Sequence, residues 1–450
     1  MGINAALLGH NSISGTIENI KSYNGILQVS QESGSTQLDA FGRLRTSDPN
    51  TLFDSQQEYG LDTLRMWDAV ANGTYATGAS NGSVTSASNS VGPRSANTRM
   101  APITVSTTAN HYAVLQSRQY IRYVPGKGHL VYITGIFAPD STYGASIIRR
   151  SSTSGSVVDV SIPQAEWNID KFNGTGPSKV TLDFTKTQIL VIQAQWLGVG
   201  RVVVGFDVDG VLFPAHQFLN ANNLTVPYTQ SFNLPVRLET RNTTTTTTSN
   251  VGYFDSANGI FLSLSKTGVS PPGGTIYFIC CSVQSEGGVE ARGFPSTANN
   301  GITAIGVTTR RAVLSIRPKA TYNSLTNRSQ IDLTEYILSA ATNNALYEIV
   351  IGGTLGGAPA WTSVDTNSAV EFDVAGTTVT GGKTLVSGYV LAGSGTIRYS
   401  TGGDVDIRNP LVLSQVDALA ATQTPVSIVC TSLTGTSNIL AAMNWHEQIV

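Results

Sequence analysis

Gln193-Ala-Gln-Trp196-Leu197-Gly198-Val-Gly200-Arg201-Val202-Val-Val204-Gly205-Phe206-Asp207-Val-Asp209-Gly210 decides how this 450-residue chain is read. Before it, Thr187 to Ala194 is a run of Ile, Leu and Val of strand length. After the two glycines, Arg201 to Val208 is a second such run, closed by the turn pair Asp209-Gly210. Gly198 and Gly200 supply the permissive backbone that a tight connection between strands needs. The pattern predicts two consecutive buried strands with a tryptophan at the corner. Trp196, Leu197, Val202, Val204 and Phe206 are expected to form the core of that hairpin. Such a stretch makes the inside of a β-sandwich rather than an active site.

Composition agrees with that reading. Charged residues make up 12% of the chain, about half of the roughly 25% usual in globular proteins. Gly, Ser, Thr and Asn fill the gap, as in proteins of many short strands and polar turns. A net charge of −2 gives no electrostatic footprint for a polyanion, so nucleic acid is not an expected partner. The three cysteines, two of them adjacent at Cys280 and Cys281, cannot build a framework of several disulfides and are read as reduced thiols. Met1-Gly-Ile-Asn-Ala-Ala-Leu-Leu lacks a basic region and is too short in apolar residues for a secretory signal. Ala6 stands where a myristoylation motif wants Ser or Thr. No stretch approaches the roughly 18 apolar residues of a membrane span, so membrane insertion is not expected.

Along the chain, residues 1–48 are polar and weakly periodic and read as an extended N-terminal arm, either loose or ordered by what it packs on. Ser47 or Asp48 is placed to cap a short helix beginning at Pro49. Leu61 to Val70 reads as a further helical turn or two, ending at Asn72-Gly73. From Thr74 the pattern turns β. Ile103 to Thr107, Ala113 to Tyr123, Leu130 to Phe137, Ala145 to Arg150, Val157 to Ile162 and Val180 to Phe184 precede the central hairpin. Val211 to Phe213, Pro235 to Thr240, Ile260 to Ser265 and Ile276 to Val283 follow it. The threonine run Thr243 to Thr248 reads as a surface connection. Beyond Arg310-Arg311 the β pattern resumes, with Leu333 to Ala341 suiting either a short helix or, by its β-branched flanks, a strand. The expected architecture is all-β: an arm over 1–48, a jelly-roll-like β-sandwich over 49–310, and a smaller C-terminal β-sandwich over 311–450.

Six stretches together carry a family likeness. They are Asp39-Ala-Phe41-Gly42-Arg43-Leu44-Arg45 with Leu52-Phe53-Asp54-Ser55, and Arg122-Tyr123-Val-Pro125-Gly126-Lys127-Gly128 with Thr134-Gly135. Then come Gln195-Trp196-Leu197-Gly198-Val199-Gly200-Arg201, Asn233-Leu234-Pro235-Val236-Arg237, Ser368-Ala369-Val370-Glu371-Phe372-Asp373 and Asn444-Trp445-His446-Glu447. In this order they resemble virion structural proteins of tailed bacteriophages, marine and cyanobacterial phages especially, and of some large DNA viruses. The resemblance implies a component of the virus particle in head, fibre or tail, assembled in the host cytoplasm. It implies no catalytic residues and no cofactor. Copies of the chain itself, as a homo-oligomer that is trimeric if fibre-like, and other virion proteins are the expected partners. The arm around Phe41, Arg43, Leu44, Arg45, Leu52 and Phe53 is the expected assembly contact.

The residues that could carry chemistry give weaker patterns. Asp207-Val-Asp209-Gly210 opens like a calcium loop, but Val211-Leu-Phe-Pro lacks the later oxygen ligands, and a hairpin turn explains the same letters. The five histidines show no metal-ligand spacing. Pro125-Gly-Lys-Gly128 lies between strands, whereas a phosphate loop needs a helix N-terminus. Gly78-Ala-Ser-Asn-Gly82 spells a nucleophile elbow without its strand and helix. Arg118, Tyr120 and Arg122 fall at period two and are expected on one strand face, as a ligand surface or a subunit contact. A glycan-cleaving enzyme would need a pair among carboxylates such as Glu166, Asp170, Asp207, Asp209 and Glu239. The expected function is therefore non-enzymatic and structural, with a host-surface glycan-binding module as the alternative and a polysaccharide depolymerase behind it.

Overall fold

The computed structural model describes residues 21–23, 26–28, 50–57, 66–76, 84–86, 89–92, 99–121, 123, 126–138, 144–151, 157–195, 197–229, 232–242, 248–255, 259–267, 274–287, 293–327, 329–393, 397–400 and 423–448. The chain is all-β, and every strand pairing among the described residues is antiparallel. Two sheets of nine and eight strands enclose a first core, and two of five and six strands enclose a second.

In the nine-stranded sheet the order runs Val211–Phe218, Val202–Val208, Thr187–Ala194, His129–Ile136, Gly274–Ser285, Ala101–Val105, Asn89–Val91, Val84–Ser86. Asn50–Gln56 also pairs with the long strand Gly274–Ser285. The eight-stranded sheet runs Val158–Pro163, Gly144–Ser151, Ile260–Thr267, Thr248–Asp255, Arg237–Asn242, Tyr112–Ser117, Trp67–Ala71, Thr74–Ala76. Neighbours such as Tyr112–Ser117 and Arg237–Asn242 are remote in sequence, so each sheet is stitched by crossovers from the other. Trp67 of the eight-stranded sheet lies edge-on to Phe53 and Phe278 of the nine-stranded one, at ring distances of 5.4 and 5.3 Å. Its indole donates to the Ser55 hydroxyl at 2.9 Å, so the buried ring keeps no orphan N–H.

The hairpin read first is where it was expected. Thr187–Ala194 pairs with Val202–Val208, which turns at Asp209-Gly210 into Val211–Phe218. Val202, Val204 and Phe206 are buried, with Phe206 against Trp167, Phe172 and Phe184. Gly205 sits at a bulge where a Cβ would strike the Phe213 carbonyl, so only glycine fits. Leu197 departs from its expected core position. Its φ of +41° turns the side chain outward, leaving it 65% exposed. Trp196 lies outside the described residues.

Other departures have one cause: tertiary pairing overrides local pattern. The helix expected from Pro49 is the strand Asn50–Gln56, recruited by Gly274–Ser285. The end of the stretch expected to be helical over 61–70 is the strand Trp67–Ala71, and Leu333 falls in the strand Gln330–Ala340. Val180–Phe184 forms no strand, only an isolated bridge from Thr181 to Asn173. The bulge opposite Thr134 and Gly135 falls at Ile279, and the adjacent cysteines beyond it alternate across the strand, Cys280 partly outward and Cys281 into the core.

The second pair of sheets begins earlier than residue 311. Phe294–Asn299 and Ile305–Val307 both pair with the last strand, Ser437–Gln448, which draws residues 294–310 into the C-terminal unit. That strand alternates buried and outward positions from Ile439 to Glu447, the period-two signature of a sheet with one wet face. Gln330–Ala340 and Ile397–Ser400 complete its sheet; the facing one runs Thr362–Ser363, Val370–Asp373, Arg311–Pro318, Val426–Ser432, Ala345–Ile351, Lys383–Val390. Of the arm, only the hairpin Lys21–Tyr23 with Ile26–Gln28 is among the described residues.

Truncating Phe206 to alanine should cost about 3–5 kcal/mol, the range for an aromatic removed from a packed core. Urea denaturation followed by tryptophan fluorescence reads it, with Val211→Ala on the adjoining strand staying within about 0.5 kcal/mol of the parent.

Candidate functional site

The outer face of the eight-stranded sheet carries the densest polar network of the first unit. Alternation decides its membership: Trp67, Ala69, Ala113, Leu115 and Leu238 point into the core, so their neighbours point out. In register across three strands, Asp68, Gln116 and Arg237 form one row and Val70, Val114 and Glu239 the next, followed by Tyr112 with Arg241. Glu239 is buried at the centre. Its Oε2 accepts from Arg237 Nε and Nη2 at 3.1 and 2.7 Å, and its Oε1 from Arg241 Nε at 2.8 Å. Arg237 Nη1 also donates to Gln116 Oε1 at 2.9 Å, while the Arg241 guanidinium lies 5.7 Å from the Tyr112 ring. Just past the strand end, Arg118 sits 3.7 Å from Asp68 and donates to the Thr424 hydroxyl, tying this face to the chain entering Val426–Ser432.

This arrangement suits a structural ladder better than acid–base chemistry. Asp68 and Glu239 occupy backbone positions two strands and one row apart, on the order of 12 Å at sheet spacings. Each carboxylate here is also held by its own arginine.

The other sequence candidates are dispersed. The strand expected to carry Arg118, Tyr120 and Arg122 ends at Ser117, whose hydroxyl donates to the Gln119 carbonyl in a turn. Arg118 and Tyr120 are buried rather than displayed on a face; Arg122 lies outside the described residues. Asp207 accepts from the Gly210 amide and Asp209 takes a positive φ, so the calcium-like letters build the hairpin turn. Asp170 is buried and clamps a loop through the Phe172 and Ser178 amides at 2.7 Å each, while Glu166 is exposed on a single 3-10 turn. Among the described residues no group of three His, Cys, Asp or Glu side chains could hold a metal ion. Leu52 and Phe53, expected in an inter-subunit contact, pack instead on the first core of the same chain. Phe41, Arg43, Leu44, Arg45 and Gly78–Gly82 lie outside the described residues.

Several of the six stretches quoted above meet one another. The Tyr123 amide donates to Asn233 Oδ1 at 2.8 Å, and the Tyr123 hydroxyl accepts from the Leu197 amide at 3.1 Å, joining three of them. In the second unit Glu447 accepts from the Ser368 hydroxyl and the Ala369 amide, at 2.6 Å each, and from the Trp445 indole at 2.9 Å, joining two more. These letters hold the fold together.

A feature the sequence reading did not single out is the edge strand Val158–Pro163. Among the described residues it ends the eight-stranded sheet and pairs only with Gly144–Ser151. Val157 and Val158 are 64% and 51% exposed, and Val160 is exposed beside them. One bidentate pair, Arg150 to Asp159 at 2.8 and 2.9 Å, lies on the opposite face. The available signal was Asp159 and the terminal Pro163, both edge-strand devices.

No protein-family model matches the chain, and no curated protein does. Among solved structures it is similar to arcelin-5, a lectin-like defence protein from Phaseolus vulgaris, at 12% identity and a TM-score of 0.26, over 53% of this chain and 99% of that one. It is also similar to the catalytic domain of an endo-1,3-beta-glucanase (laminarinase) from Thermotoga petrophila RKU-1, at 8% identity and a TM-score of 0.18, over 53% and 98%. A Bacillus licheniformis beta-glucanase follows at 9% identity and a TM-score of 0.15, over 54% and 99%.

Replacing Glu239 with glutamine should destabilise the chain by about 2 kcal/mol, because two guanidinium groups lose their charged acceptor on a largely buried face. Asp159→Asn at the exposed edge pair should cost under about 1 kcal/mol. Paired urea titrations of the two variants check the contrast.

Proposed function

We propose that this chain is a non-enzymatic structural component of a bacteriophage virion, acting through self-association and docking to other virion proteins. The observation that carries the reading is the valine-rich edge of the eight-stranded sheet, unpaired among the described residues. Such an edge presents a row of free backbone donors and acceptors, and proteins that stay monomeric normally blunt it with charge. Here one aspartate is neutralised by its neighbour Arg150, and the valines stay exposed.

Two further features support the reading. The carboxylates Asp170, Asp207 and Glu239 are each engaged in holding backbone or arginine in place, which suits a rigid body. The likeness of the six stretches to phage virion proteins supplies the setting. Localisation in the particle and assembly in the host cytoplasm belong to the same proposal, as does symmetric association of identical copies.

The Val158→Lys, Val160→Lys double variant tests it. Sedimentation velocity over a concentration series should show association of the parent chain and at least a tenfold weaker tendency in the variant, with the melting temperature little changed. Equal association of variant and parent would remove this edge from the assembly.

A further inference from the structure

The free edge of the eight-stranded sheet has a readable pattern of backbone donors and acceptors. The Arg150 amide donates to the carbonyl of Gly259, which leads into the neighbouring strand Ile260–Thr267. A strand residue aims its N–H and C=O to one side, and the residues before and after it aim theirs to the other. Ile147, Arg149 and Ser151 therefore face the last strand, where their register partners Ile162, Val160 and Val158 take up their backbone groups. Asp159, Ser161 and Pro163 are left to direct theirs away from the sheet. Proline has no N–H to offer, and the open side of an edge strand is where it is tolerated. Among the described residues the edge thus presents complete donor–acceptor pairs at Asp159 and Ser161, with the Pro163 carbonyl beyond them. Every residue from Val158 to Ser161 is exposed.

The side chains sort by the same alternation. Val158, Val160 and Ile162 share the inward face, where Ile162 packs on the first core and the two valines are left uncovered. Asp159 and Ser161 lie on the other face, with Asp159 neutralised by the Arg150 fork. At the centre of the strand Val160 stands across from Arg149, whose Nη1 donates to Asn220 Oδ1 at 2.7 Å and whose Nε has no hydrogen-bond partner. An incoming strand bringing lysine or arginine to that position meets a like charge; one bringing valine does not.

We infer that the occupant of this edge is the same strand of a second copy, paired antiparallel about a two-fold axis at Val160, so that the two sheets run into one. The edge fits itself in that register. Asp159 of each copy exchanges both backbone hydrogen bonds with Ser161 of the other, and Val160 meets Val160 as a close, non-hydrogen-bonded pair. Val158 faces Ile162 across the joint, which adds an apolar β-branched pair on the same face. Moving the axis to Asp159 sets two carboxylates directly opposite each other. Moving it to Ser161 sets Asp159 against Pro163, whose missing N–H leaves a carbonyl unpaired. The contact is isologous and closes as a pair. A strand of six residues falls well short of the roughly 20 residues a side of a standard interface, so the pair is weak alone and gains from repetition in an assembly. That the edge serves assembly at all rests on the function proposed above; the register rests on the strand itself.

Single cysteines read the register. In the paired state the two Val160 Cα atoms stand about 4.5 Å apart, within disulfide reach, whereas the two Asp159 or the two Ser161 Cα atoms stand about 8 Å apart, beyond it. The full chain is oxidised mildly as Val160→Cys, Asp159→Cys and Ser161→Cys, beside the parent with its own three thiols, and linked dimers are measured on non-reducing gels. All three positions are exposed, so the variants should melt near the parent. Val160→Cys should link at least tenfold more than the other two variants or the parent. A mixture of Val158→Cys and Ile162→Cys chains should link more than either variant alone. Strongest linking at Asp159→Cys or Ser161→Cys would overturn the register, and equal linking at all three would mark random collision and overturn the pairing. Association that the Val158→Lys, Val160→Lys variant abolishes, with no linking at any cysteine, would overturn the two-fold contact while leaving the edge in the assembly.

Discussion

Trp67 wedged edge-on between Phe53 and Phe278 is the contact on which the first unit depends. A strand with apolar residues at every second position is stable only when a second sheet covers that face. Trp67 meets the requirement from one sheet, and Phe53 and Phe278 meet it from the other. The partners lie 14 and 211 residues away in the chain, so closing the sandwich fixes strands that the sequence separates widely. Once Gly274–Ser285 is in place, it recruits His129–Ile136, Ala101–Val105 and Asn50–Gln56. Contacts of such long range close slowly, because loop entropy must be met before they reward it.

How legible this was depended on whether a residue's fate was local. The hairpin Thr187–Val208 could be read from its letters, because two apolar runs around glycines have few alternatives. Asp209-Gly210 announced its turn for the same reason. Leu52 and Phe53 could not be placed, because Pro49 is a good helix start and the strand that captures them lies over two hundred residues on. Leu197 defeated the pattern differently: its position in an apolar run says core, but a left-handed backbone angle turns it outward. Arg118 and Tyr120 failed as a displayed stripe because the strand stops one residue before them.

Polar side chains in this molecule fall into two groups, and the division follows their burial and their partners. Glu239, Asp170 and Glu447 are buried, and each is saturated by donors from its own chain. Buried ionic groups of this kind add little net stability over apolar replacements but penalise misregistered alternatives heavily. In a protein of many similar short strands, that penalty is useful. A one-residue slip of Arg237–Asn242 would turn Arg237, Glu239 and Arg241 together into the core and away from Gln116 and Tyr112. Glu447, tied to Ser368, Ala369 and Trp445, is another such point.

Arg149 belongs to the other group, and its place in the sheet gives that difference meaning. It lies on the strand next to the exposed edge, directly across from Val160. An incoming strand that paired with Val158–Pro163 would run one strand spacing away, about 5 Å. Backbone pairing alone is indifferent to sequence, and aggregation is the usual hazard of an open edge. Arg149, half-buried one strand in from that edge and held by Asn220, adds a positive charge there that disfavours a partner bringing a basic residue at the facing register.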